Sequence, residues 1–163
     1  MMSEWRANNW AVCVTEDLPT VKPTTLDDLT EEFAASDPEE RMQLVMDFGR
    51  QLEPMPAELR TEEHRVQGCQ SGLWLVIRLE PGTPRTVKLI ADSDSQIVRG
   101  LVAVLSMLCA GRMPSEIAAL DLEGTFERLG LKKYLSPNRA NGFYATVRRI
   151  RDWVKLHEAA VAT

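Results

Sequence analysis

The chain has 163 residues, a length that suits one domain able to bury a hydrophobic core without disulfides or metals. Its formal net charge of -5 weighs against a nucleic-acid partner, because phosphate binding relies on clustered lysine and arginine. The longest nearly uncharged run, residues 100–111, is far shorter than the roughly 20 residues that a membrane span needs. We therefore expect neither a nucleic-acid partner nor a membrane partner.

The number and spacing of the cysteines also indicate the cellular compartment in which the protein is expected. Cys13, Cys69 and Cys109 are odd in number and widely spaced, unlike the disulfide framework of a small secreted protein. A reduced compartment suits them better, and no apolar run follows a basic N-terminal region as in a secretory signal. We expect the protein in the cytoplasm.

The first 24 residues show no clear period and are interpreted as an N-terminal extension, followed by one domain over residues 25–158 and a tail over residues 159–163. At the start of the domain, Thr25 and Asp28 predict a capping box for a short helix over Thr25–Ala35. Asp37 as N-cap and Pro38 at the first helical position predict a second helix, with apolar residues along one stripe.

Three short strands are predicted next. The first begins at Val66 and stops at Gly68, the second covers Leu73–Leu79, and the third covers Thr86–Ala91. A turn rich in proline and glycine separates the last two. The pattern indicates a small antiparallel meander with Cys69 between its first two strands.

The remainder is helical. Asp92–Asp94 is predicted to cap a core helix that runs to about Ala110, with apolar residues near a 3.6-residue period. Short helices are predicted at Pro114 and over Phe126–Leu131, and a long one from about Arg139 to His157. Because the strands are segregated from the helices, the sequence predicts an α+β fold, with a three-stranded antiparallel sheet and helices packed on one side.

Cys69 is the main candidate for chemistry. It lies in Gln67–Ser71, a short run of small and polar residues that leaves the sulfur open to approach. The thiolate is the reactive form of cysteine, and the nearest cation in sequence is Arg65. These residues alone leave open whether the thiol is reactive or structural. Cys109, by contrast, lies in an apolar stretch typical of a buried structural cysteine.

A metal site is one alternative to a reactive thiol. It would draw on Cys69, Cys109, His64 and His157, which lack the close or paired spacing of zinc and iron–sulfur ligands. The acidic residues at positions 92 and 94 are explained by the helix cap without a metal.

A cysteine hydrolase is a second alternative, and it would pair Cys69 with a histidine base and an oxyanion hole at a helix N-terminus. The presence of Trp74 after the cysteine is its only support, because the following segment is predicted as a strand and His157 is the one downstream histidine.

Four motifs then bear a resemblance to the SufE/CsdE family of sulfur acceptors. They occur in the family's order and lie within residues 25–157. They are Asp47–Leu52, the Gln-Gly-Cys-Gln-Ser run around Cys69 with Trp74 and Leu75 after it, the segment Asp92–Leu105, and Leu135–Gly142.

The resemblance implies a fold like that of the IscU scaffold family and a role in sulfur transfer. Cys69 matches the residue that accepts sulfur from the persulfide of a cysteine desulfurase of the SufS or CsdA type. The sulfur then passes to an iron–sulfur scaffold of the SufB type. The pyridoxal phosphate belongs to the desulfurase, and no cofactor is expected on this chain. An IscU-like metal or iron–sulfur scaffold is the alternative.

Further site residues follow from the same resemblance. Asp94 and Arg139 match family positions linked to partner docking and to the surroundings of the cysteine, and Gly68, Gln70 and Ser71 are expected to support the cysteine loop. The chain departs from the family at His64, where asparagine is frequent, and at Gly72, where glutamine is frequent. With Gly68, Gly72 brackets the cysteine and is expected to give the loop its backbone freedom, so that it swings out on docking.

Overall fold

The computed structural model describes residues 26–52 and 54–161. The predicted N-terminal extension and the Thr25 cap lie outside these residues. Within them the helices are α1 Leu26–Ala34, α2 Pro38–Gln51, α3 Gln96–Cys109, α4 Pro114–Ala118, α5 Leu122–Arg128 and α6 Pro137–Val161. The strands are β1 Leu73–Glu80 and β2 Thr86–Ser93, and single 3₁₀ turns cover Ala57–Leu59 and Lys132–Tyr134.

The α+β class is confirmed, but the prediction of three strands is wrong. The sheet of the described residues has two antiparallel strands, in register from Leu73 opposite Ser93 to Glu80 opposite Thr86. The residues before the cysteine pair with β1 only through an isolated bridge between Arg65 and Trp74. A turn begins directly after this bridge, so the pairing is too short to form a strand.

The starts of α2 and α3 show where local signals hold and where they mislead. Asp37 caps α2 as predicted, because its carboxylate accepts from the amide of Glu40 and the Glu40 carboxylate accepts from the Asp37 amide. At α3 the predicted cap over Asp92–Asp94 is wrong. Ser95 is the N-cap, with its hydroxyl accepting from the amide of Val98, and Asp92 still belongs to β2.

The later helices follow the prediction more closely. α4 begins at Pro114 as expected, and α5 begins earlier than expected, at Leu122, because the Asp121 carboxylate accepts from the amide of Gly124. The last helix begins at Pro137 and continues to Val161.

α3 is the centre of the core. Every residue from Gly100 to Cys109 is buried, and the helix packs against α2, β2 and α6. The approach of α2 is so close that a methyl group at Gly100 would lie 2.1 Å from the main-chain oxygen of Val45. From α6, Val147, Ile150 and other apolar residues complete the core. No helix within the described ranges is both long and apolar enough to cross a membrane.

Candidate functional site

The segment Gln67–Ser71, here called the cysteine loop, is anchored at its N-terminal side by β1. The stem of the loop is residues 63–66, of which residues 64–66 lie beside this strand. The amide of Val66 donates to the oxygen of Leu73 at 2.8 Å, and the amide of Leu75 donates to the oxygen of His64 at 2.9 Å. Val66 is also buried, so the loop departs from a fixed point in the core.

The C-terminal side of the loop is anchored by Gly72. Its carbonyl oxygen accepts from the hydroxyl of Ser93 at 2.7 Å and from the amide of Asp94 at 3.0 Å. A methyl group at Gly72 would lie 2.3 Å from Asp94 Oδ2 and 2.6 Å from the Trp74 ring. Gly72 is therefore a point of close packing. Backbone freedom is required instead at Gly68, whose φ of +93° favours glycine.

Between these anchors, Cys69 lies against α6. A methyl group at Gly142 would lie 2.7 Å from Cys69 Sγ and 2.9 Å from its Cβ. The cysteine packs directly on the bare backbone of the helix at this point, and its side chain is half-buried. Glycine within a helix is unfavourable by roughly 1 kcal/mol relative to alanine, so its presence here is explained by this contact.

Other contacts extend this one along α6. Asn138 Nδ2 donates to Gln70 Oε1 at 3.1 Å, between two exposed side chains. On the other side of the cysteine, a methyl group at Gly68 would lie 4.0 Å from Ala145 Cβ. The loop thus runs along the helix on both sides of Cys69.

The stem is held by Arg149, farther along the same helix. Its guanidinium donates to the carbonyl oxygen of Arg65 at 3.0 Å and to that of Glu63 at 2.9 Å. In antiparallel pairing, alternate residues direct their main-chain groups away from the partner strand. Arg149 satisfies the carbonyl that Arg65 directs to this outer edge, and also that of Glu63 in the turn before the bridge. No further strand of the described residues covers this edge.

The four helix residues that make these contacts are spaced by four, three and four positions, which places them on one face of a helix. From the tip of the loop, which is residues 68–70, to its stem they are Asn138, Gly142, Ala145 and Arg149. The chain through the stem and the cysteine loop therefore lies antiparallel to α6 along a single stripe.

The two predicted docking residues flank this arrangement. Asp94 is exposed beside the Gly72 anchor. Arg139 is partly exposed near the start of α6, three residues before Gly142, and its guanidinium makes no hydrogen bond or ion pair with any described residue. Ser71 is half-buried in the loop itself. The structure thus places an exposed carboxylate beside the Gly72 anchor, and a guanidinium without a partner among the described residues three positions from Gly142.

The other cysteine has a different environment. Cys109 is fully buried on α3, and this burial raises the pKa of its thiol from 9.0 to about 12, although the nearby Arg112 acts to lower it. A neutral, enclosed thiol is neither a nucleophile nor a metal ligand under ordinary conditions. This observation leaves Cys69 as the candidate thiol within the described residues.

The histidines are engaged elsewhere. The ring of His64 contacts the oxygen of Leu59 at 2.9 Å, and His157 stacks on Trp153 with ring centroids 3.8 Å apart. His157 lies fifteen residues beyond Gly142 on α6, roughly 22 Å along the axis at 1.5 Å per residue, so it is remote from Cys69. Across the described residues, no three cysteine, histidine or acidic side chains are grouped to hold a metal ion.

A buried ion cluster surrounds Asp92, which lies opposite Trp74 in the sheet and was not predicted from the sequence as part of such a cluster. The Asp92 side chain accepts from the amide of Met55 at 2.9 Å and from the guanidinium of Arg60, with Arg99 Nε 3.4 Å away. Arg60 also lies over the ring of Trp74, 5.1 Å from its centroid. The Asp-Ser-Asp sequence signalled a helix cap, and nothing local pointed to its distant arginine partners.

The chain is similar to known proteins over most of its length. The family model described as "SufE: Fe-S metabolism associated domain" matches residues 27–154. An uncharacterized SufE-like protein of Rhizobium etli is 40% identical over 139 residues, which cover 83% of this chain and 93% of that protein. A second, from Rhizobium meliloti, is 38% identical over 130 residues, covering 78% and 93% respectively.

A solved structure shows the same fold. The solution structure of a hypothetical protein from Thermus thermophilus superimposes with a TM-score of 0.68 and 22% identity, and the match covers 82% of this chain and 96% of that one. The family match spans most of the domain, and the two rhizobial relatives align over nearly their whole length. The chain belongs to the SufE family, whose domain is associated with iron–sulfur metabolism.

Proposed function

We propose that Cys69 accepts a sulfur atom from the persulfide of a pyridoxal-phosphate-dependent cysteine desulfurase and relays it to an iron–sulfur scaffold. The observation that carries this proposal is the position of Cys69 on Gly142, at the middle of a loop anchored on both sides. Membership of a family associated with iron–sulfur metabolism supports it.

The reaction is a thiol exchange at sulfur. The Cys69 thiolate attacks the outer sulfur of the desulfurase persulfide, a new sulfur–sulfur bond forms on Cys69, and the desulfurase thiolate leaves. In the second transfer an acceptor thiolate attacks the outer sulfur on Cys69, and the Cys69 thiolate leaves. No net oxidant is consumed by this chain, which acts as a carrier, and the pyridoxal phosphate belongs to the desulfurase.

The packing of the loop suits a carrier because a persulfide has two conflicting requirements. In bulk solvent it is lost to reductants, whereas a buried one is out of a partner's reach. The half-buried Cys69, packed on one side against α6, has partial shelter at rest. The exposed residues Gln67, Gly68 and Gln70 leave the other side open to a docking protein. We therefore expect the loop to swing outward when the partner docks.

The charged residues beside the loop suggest how partners are held. Asp94 is exposed at one anchor, and Arg139 lies near the tip with no ion pair among the described residues. We propose that these two side chains make charged contacts with the desulfurase, of the SufS or CsdA type, and with a scaffold of the SufB type. Charges at the edge of an interface mainly affect association rate and partner choice.

The proposal is tested with the full chain, a cysteine desulfurase of the SufS type and cysteine, followed by intact mass measurement without reductant. We expect a gain of sulfur on the wild type and none on Cys69→Ser. A variant with Cys13→Ser and Cys109→Ala, which keeps Cys69 as its single cysteine, should gain sulfur as the wild type does.

Two results would contradict the proposal. Sulfur on Cys13 or Cys109 with none on Cys69 would show that another cysteine is the acceptor. Stoichiometric zinc or iron on the purified protein, lost in Cys69→Ser, would instead support the scaffold alternative.

A further inference from the structure

The stem and the cysteine loop are fastened to α6 with unequal strength. At the stem, the half-buried Arg149 donates two hydrogen bonds to main-chain oxygens, those of Glu63 and Arg65. Hydrogen bonds from a charged donor are about twice as strong as those between neutral groups. These bonds reinforce the pairing of the stem with β1, so the stem is the firmly held part.

At the tip, the polar contact with the helix is weaker than the hydrogen bonds that Arg149 makes at the stem. Asn138 donates to Gln70 through neutral side chains that are both exposed to water. The tip also packs on α6 where Cys69 meets Gly142 and where Gly68 lies near Ala145. The tip should therefore separate from the helix before the stem does.

We propose that Asn138 and Arg149 are positioning residues that set how the cysteine loop opens. Asn138 is a latch that holds the tip closed through Gln70. Arg149 is a fixed post that keeps the stem on α6 when the tip leaves, so that the motion is confined to Gln67–Ser71. This inference rests on the proposed function for its purpose, but the latch and the post are properties of the chain alone.

The latch is tested by alkylation of Cys69 with iodoacetamide, in the chain that carries Cys13→Ser and Cys109→Ala. Loss of one exposed hydrogen bond should shift the opening equilibrium by roughly two- to tenfold. We expect Asn138→Ala and Gln70→Ala each to accelerate alkylation by that factor, and the double variant to be no faster than either. Independent, multiplying effects would show that the two residues do not act as a pair.

The post is tested by amide hydrogen exchange at Val66, whose amide donates to Leu73 and reports on the stem. We expect Arg149→Met to accelerate this exchange severalfold, and Asn138→Ala to leave it unchanged while it accelerates alkylation. Arg148→Met is the matched control, because Arg148 is the exposed neighbour on the same helix and should change neither quantity. Unchanged exchange in Arg149→Met would overturn the role of the post.

A third measurement links the latch to sulfur transfer. Once Cys69 carries a persulfide, Asn138→Ala should shorten its lifetime towards a small thiol reductant by the same factor as it accelerates alkylation. An unchanged lifetime would overturn the sheltering role of the latch. Failure of the wild type to accept sulfur would overturn the proposed function alone, because alkylation and exchange are measured without a desulfurase.

Discussion

Cys69 and Gly142 are in direct contact, and the space between them is too small for a side chain. A methyl group on Gly142 would lie 2.7 Å from Cys69 Sγ, well inside normal packing distances. The loop tip is weakly fastened, whereas the helix is long and packed along the core. If a side chain at position 142 overlapped with Cys69, we would expect the loop to move and the helix to stay in place.

Gly142→Ala should therefore expel Cys69 from α6 without unfolding the protein. Overpacking of this kind costs about 1–3 kcal/mol, which exceeds what a single exposed hydrogen bond contributes. Alkylation of Cys69 should rise on the order of tenfold or more, while the free energy of unfolding changes by less than about 1 kcal/mol because alanine favours the helix. Asn141→Ala, at an exposed neighbouring position, is the control. A large loss of stability with unchanged alkylation would contradict the expectation.

Gly72→Ala should disturb the other end of the loop. Its methyl group would meet Asp94 Oδ2 at 2.3 Å and the Trp74 ring at 2.6 Å. We expect a loss of about 1–3 kcal/mol in the free energy of unfolding, measured with urea. Adding Asp94→Ala removes the nearer obstacle, so the double variant should be more stable than the sum of the single effects implies. Strict additivity would show that the carboxylate does not limit the space at Gly72.

Asp92→Ala should be the most destabilising of these changes. Asp92 is fully buried and is the acceptor for Arg60 and for the amide of Met55. Removal of one partner from a buried ion pair typically costs about 3–5 kcal/mol. Asp94→Ala, two residues away and exposed, should cost less than about 0.5 kcal/mol in the same urea titration. Similar losses for the two variants would mean that the buried cluster contributes little.

The buried thiol of Cys109 should make stability fall in alkaline solution. Burial raises its pKa from 9.0 to about 12, so above 9.0 the unfolded chain loses this proton while the folded chain keeps it. The unfolded state then binds fewer protons, and the free energy of unfolding decreases as pH rises from 9.0 towards about 12. Cys109→Ala should flatten this part of the pH profile. An identical slope in the wild type and the variant would contradict the assignment.

The parts of the fold that were predicted correctly depend on neighbouring residues. The capping box of Asp37 and Glu40 involves residues within one turn, and the apolar period of α3 is a property of one segment. The first predicted strand, from Val66 to Gly68, was wrong because a strand at that place depends on how many of its residues pair with β1. Among the described residues that precede the cysteine, only Arg65 pairs with β1, through its bridge to Trp74.

In the candidate site, too, the features that neighbouring residues determine were predicted, and those that distant residues determine were not. Cys69 stood out because its small and polar neighbours are unusual around a core cysteine, and its chemistry came from the family resemblance. Its contact with Gly142, the bonds of Arg149 to the stem and the burial of Asp92 all join residues distant in sequence. The one local signal was the costly glycine inside α6, which indicates close approach without naming what approaches.

The two anchors of the cysteine loop also limit how far the Cys69 thiol can move. Cys69 is the third residue after Val66 and the third before Gly72, so it is the midpoint of a short tether. Three extended residues span at most about 10 Å, which is the greatest distance of the Cys69 backbone from either anchor. In the proposed sulfur transfer, a donor must bring its persulfide, and an acceptor its thiol, to a Cys69 that stays within this distance of its anchors. Delivery over any longer distance therefore requires the whole protein to diffuse from one partner to the next.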